Sequence, residues 1–198
     1  MNKLIQVFWL PKFDNKKKSW SLLALLLIIL LYLLLPPPKV ISLPDATVSD
    51  EPGDTIQIQG VSAYFTNMTQ EQVIDYYGRE FSHSSWLGIA MPTLVFSRPV
   101  QEAHQFINDQ LITTYLFEFI HPFRESVYVN GWVEGKLPPV YRRWINHSIN
   151  PKGIHFDSKV TVRRVDSSLL ARVLVMVASL YGILMLVRIT KIVFSNKI

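Results

Sequence analysis

Two stretches of this chain are apolar without alternation, and the region between them switches repeatedly between helical and strand periods. Residues 20–35 read WSLLALLLIILLYLLL, with no charge and no helix breaker. Leu and Ala favour helix, and a hydrocarbon core admits only a segment that satisfies its own backbone. Crossing that core takes about 20 residues. The run is slightly short, so the expected span is 20–38, with Pro36, Pro37 and Pro38 extending it through the interface. The second expected span is 169–187, uncharged between Arg172 and Arg188. Both arginines lie near its ends, where long cationic side chains snorkel.

The intervening pattern predicts the order β-α-β-α-β-β-α-β. Residues 55–65 alternate apolar and polar, and the phase shifts by one at Gly60, as at a β-bulge. Thr69 and Gln72 form a capping box for a helix over 69–81, whose buried stripe is Val73, Ile74, Tyr77 and Phe81. Gly78 costs about 1 kcal/mol relative to Ala in that helix, so a close packing contact is expected there. A short strand over 93–96 precedes a second helix opened by Pro99, with Val100, Ala103, Ile107 and Leu111 on its apolar side. Strands over 113–120 and 126–133 pair through a turn at 121–124. Asn130-Gly131 competes for that turn, being a favoured hairpin pair, but the run after it is short. A third helix is expected over 138–146, and a last strand within 154–165.

Helices covering one face of a mixed sheet make this an α+β domain. The resulting division is a basic tail over 1–19, a first span over 20–38, a Pro-rich spacer over 39–54, the α+β domain over 55–166, a second span over 169–187 and a basic tail over 188–198. The spacer carries Pro44 and Pro52 and reads as a semi-rigid stand-off between bilayer and domain. No small-residue cleavage pattern follows Leu35, and prolines occupy the processing region. The first span therefore reads as an uncleaved signal anchor.

The net charge of +5 is unevenly placed. The first nineteen residues hold five lysines against Asp14, and 188–198 hold three basic residues and no acid. Residues 39–168 are acidic overall, with fourteen carboxylates against eleven Lys or Arg. A basic excess confined to the ends argues against nucleic-acid binding, which needs it on a folded surface. The basic bias around the first span puts both termini in the cytoplasm and the central domain outside the plasma membrane. Cysteine is absent, which removes disulfides and thiolate metal sites.

Chemistry is sparsely signalled. The five histidines show no metal-ligand spacing, and no phosphate-binding glycine loop or nucleophile elbow is present. No catalytic residue, metal ligand or cofactor is therefore expected. Two surfaces stand out. Trp86, Leu87, Ile89 and Met91 form an apolar loop that either packs inward or presents a lip to lipid or a partner. Glu118, His121, Arg124 and Glu125 are the densest polar group, either an acid–base or anion site or, as expected here, an exposed, salt-bridged hairpin end. The leading expectation is a non-enzymatic interaction or assembly module of a cell-envelope complex, whose partners are the bilayer and a membrane protein or second copy. The alternative is an extracytoplasmic ligand sensor signalling through a partner.

Overall fold

The computed structural model describes residues 16–37, 39, 41–49, 60–83, 90–106, 113–141 and 153–195. The chain divides into two compact units, Pro36–Asp166, and Met1–Leu35 together with Ser167–Ile198.

The second unit contains two apolar helices, α1 over Lys16–Leu34 and α4 over Leu169–Ser195. Among the described residues, only α4, over Leu169–Phe194, is long and apolar enough to cross a membrane. The apolar part of α1 is Trp20–Leu34, about 22 Å long at 1.5 Å per residue against a core of about 30 Å. Helix stops before the prolines, so Pro36 and Pro37 add no helical length. Helix α4 runs beyond 187 through Arg188, since nothing after it breaks the helix. Arg172 Nη1 donates to the Leu33 carbonyl at 3.3 Å, linking the two helices within this unit.

The other unit is α+β, built on β1 (Thr47–Val48), β2 (Val61–Thr66), α2 (Gln70–His83), β3 (Leu94–Ser97), α3 (Ala103–Phe106), β4 (Tyr115–Ile120), β5 (Glu125–Val133) and β6 (Ser158–Asp166). The sheet order is β1-β2-β6-β5-β4-β3. Every pairing is antiparallel, which corrects the expected mixed sheet. Strand β2 crosses to the distant β6, so no parallel neighbour is needed.

Period-two alternation sorts the side chains onto two faces. Val127 and Val129 of β5, Val160 and Val162 of β6, Tyr115 and Phe119 of β4 and Tyr64 of β2 meet Val73, Tyr77 and Phe81 of α2 in the main core. Opposite, Phe65, Trp132, Leu137 and Phe156 form one cluster, while Ala103, Leu116 and Tyr128 form another. The start of α2 is the expected capping box. Gln72 N donates to Thr69 Oγ1 at 3.3 Å, and Thr69 N donates to Gln72 Oε1 at 2.8 Å. A Cβ at Gly78 would lie 3.3 Å from the Phe119 ring, the close contact that the glycine implied.

The described part of the expected spacer belongs to the domain. Leu43 is buried in the main core, and Thr47 and Val48 pair with Phe65 and Tyr64. Burying Leu43 against the sheet is favoured over leaving it in solvent. Gly60 lies at φ +80° at the entrance to β2, and the expected strand before it falls outside the described residues. The second expected helix is a short 3-10 turn over Val100–Glu102 followed by α3, with Ile107 and Leu111 outside the described residues. Most of the third, 142–146, is also outside them.

Candidate functional site

The β4–β5 hairpin turns at residues 121–124, as the pattern required. Arg124 N donates to the His121 carbonyl at 3.0 Å. Pro122 supplies a fixed φ at the second turn position, and Phe123 adopts the left-handed φ of +63° that follows it in a type II turn. The competing Asn130-Gly131 pair lies inside β5, opposite Leu116 and Tyr115. Tertiary pairing on both sides of β5 overrides its local turn preference.

The four polar residues near this turn do not form one exposed group. All four are buried, and strand alternation divides them. Glu118 shares the face of Leu116 and Tyr128. There Arg98 Nε donates to Glu118 Oε2 at 2.8 Å, and Arg98 Nη2 donates to the same oxygen. The hydrogen bond and charge of Glu118 raise the Arg98 guanidinium above its ordinary pKa. Burial, reinforced by the Glu118 hydrogen bond, pushes the Tyr128 phenol up to about 12.

Glu125 faces the main core with Val127. Its Oε1 lies 2.7 Å from His121 Nδ1 and 2.9 Å from Arg124 Nη2. The His121 ring stacks on Phe81 of α2 at 3.9 Å between centroids. Arg124 Nη2 also donates to the Pro36 carbonyl at 3.0 Å. The triad thus pins the hairpin turn to the first residue of the unit, while Asp166, its last, pairs with Glu125. Both chain exits therefore meet at one end of the sheet.

At the sheet margin, β3 pairs with β4 on one side only among the described residues. Leu94, Val95 and Phe96 are 49%, 51% and 45% exposed, on both faces of the strand. Of the apolar loop expected as a lip, Trp86, Leu87 and Ile89 lie outside the described residues. Met91 is half-buried, and its N–H donates to the Ser82 carbonyl at 2.7 Å.

At the other end of β5 and β6 is a cleft of about 570 Å³, lined by residues including Asn67, Thr69, Glu71, Glu134, Lys136 and Asp157. The Glu71 backbone N–H and the Thr69 hydroxyl hold the Glu71 carboxyl below its usual pKa at the start of α2. At its rim, His155 Nε2 lies 3.1 Å from Glu134 Oε2 and 3.7 Å from Asp157 Oδ1. Sequence reasoning missed this group, because Glu134 is brought to the other two only by β5–β6 pairing. The legible signal was His155-x-Asp157, two residues that an extended segment projects to one side.

Compared with known protein families, characterised proteins and solved structures, the chain matches none.

Proposed function

We propose that this chain is a two-span membrane protein whose α+β domain is a non-enzymatic assembly module, presented outside the plasma membrane with both termini cytoplasmic. The observation that carries this reading is β3, an edge strand with three large apolar side chains exposed. Unpaired strand edges accept a further strand, and soluble domains ordinarily blunt them with charge or proline. Strand β3 carries neither. The favoured occupant is a strand from a partner anchored in the same membrane. A second copy pairing antiparallel through its own β3 would put the two sets of chain exits at opposite ends of the joined sheet. The tightly held exits, at Pro36 and Asp166, suit one bilayer better than two.

A photo-crosslinking residue at Val95 in the full-length protein tests the reading in the native host. A discrete adduct with one membrane protein, lost together with co-purification when Leu94→Lys is added to the crosslinker-bearing chain at unchanged melting temperature, supports it. Leu94→Lys protein that forms no adduct yet stays fully functional overturns it, and an adduct at twice the chain mass makes the occupant a second copy. Topology is checked by cysteines at Lys39 and Ser195 and an impermeant thiol reagent. Labelling of Lys39→Cys but not Ser195→Cys in intact cells is expected. The cleft, with Glu71, Glu134, Lys136 and Asp157 among its lining residues, supports the sensor alternative, in which a small ligand rather than a strand carries the signal.

A further inference from the structure

We infer that Glu134, His155 and Asp157 form a binding site for a borderline divalent metal ion of the zinc class. The site lies across the sheet from the hairpin triad and is independent of strand docking at β3. One imidazole nitrogen and two carboxylate oxygens converge, all within 4.8 Å of one another. Ligands bound to zinc at about 2.0–2.2 Å in a tetrahedron stand about 3.3–3.6 Å apart. The His155–Glu134 and His155–Asp157 separations of 3.1 and 3.7 Å bracket that edge length. Two of the three separations thus suit one shared ion, and the Glu134–Asp157 pair, within 4.8 Å, closes on it by side-chain rotation.

The backbone holds two of the ligands in place. Glu134 N donates to the Asp157 carbonyl at 2.8 Å, and Asp157 N donates to Asn67 Oδ1 at 3.1 Å. Next along the chain, Ser158 pairs with Val133 in the β5–β6 ladder. The ligand type sets the metal class. Carboxylates alone would suit calcium or magnesium, whereas an imidazole among them favours zinc and its neighbours. Three protein ligands leave the fourth position of a tetrahedron for water or for a donor from outside. Glu134 and Asp157 both line the cleft, so a ligand lodged there has access to that position. The competing account is a protonated His155 ion-paired with two carboxylates, which binds no metal.

The test uses tag-free full-length protein in detergent, titrated with Co²⁺ and then competed with Zn²⁺. The expected result is one equivalent of Co²⁺ with the visible absorption of a tetrahedral site, discharged by Zn²⁺. Changing a residue that merely supports a metal ligand already costs about 10–100-fold in affinity. His155→Gln and Glu134→Gln should therefore each weaken binding at least tenfold, and His83→Gln, on a helix elsewhere, should leave it unchanged. Zn²⁺ should raise the melting temperature of the parent and not of His155→Gln. Metal-free parent and His155→Gln should melt together, since His155 is half exposed. Absence of Co²⁺ absorption, or binding that survives His155→Gln, overturns the site.

Discussion

His121 Nδ1 lies 2.7 Å from Glu125 Oε1, with the two side chains 1% and 0% exposed. A contact that reads from the sequence as a solvated hairpin end is thus sealed beneath α2. The energetic consequence changes sign in importance, because a polar group removed from a buried pair leaves its partner without compensation.

Replacing Glu125 by Gln removes the charge that faces both His121 and Arg124. Breaking a buried ion pair costs about 3–5 kcal/mol. His121→Gln removes one hydrogen bond to a charged group, a loss of about 1.5–3 kcal/mol. Thermal melts of the full-length protein in detergent should show both variants destabilised, Glu125→Gln the more. A His121→Gln protein as stable as the parent would show that the pair contributes nothing.

Two glycines should respond differently to alanine. At Gly131 a Cβ would lie 2.7 Å from the Lys159 carbonyl oxygen and against the Tyr115 hydroxyl. Backbone in a central ladder cannot retreat, so Gly131→Ala should cost about 1–3 kcal/mol. At Gly78 the neighbour is one edge of the Phe119 ring at 3.3 Å. A ring edge can tilt by tenths of an ångström, and the gain in helix propensity is about 1 kcal/mol. Gly78→Ala should therefore change stability little, and equal losses at the two positions would refute the distinction.

Alkaline stability should follow the buried tyrosines. Burial pushes Tyr128 up to about 12 and raises Tyr77 and Tyr115 further, whereas an unfolded tyrosine ionises near pH 10. Above about pH 10 the unfolded state therefore holds fewer protons than the folded state. Stability contributed by these phenols is intact below that pH and falls as pH rises toward about 12. Tyrosinate absorbance should show part of the eight tyrosines ionising only as the fold is lost. Complete ionisation near pH 10 with the fold retained would contradict their burial.

Local chemistry determined a good deal of this protein from sequence alone. Thr69 and Gln72 mark the start of α2 because a capping box needs only residues three apart. Gly78 announces a close neighbour, and His121-Pro122-Phe123-Arg124 identifies the hairpin turn because its flanks alternate with period two. The apolar run of α4 is equally legible, as hydropathy needs no partner. What only the tertiary structure decided are the relations between distant residues. Alternation put Glu118 on one face and Glu125 on the other, yet only α2 packing through Phe81 buried His121 and turned a surface cluster into an internal one. Leu43 joins the core, although its proline-rich surroundings resemble a free spacer, because the edge of β2 gives its strand a partner. Antiparallel β5–β6 pairing, from residues more than twenty positions apart, is likewise what sets Glu134 beside His155. Sheet pairing depends on which strands meet, and that choice belongs to the whole chain rather than to any one segment of it.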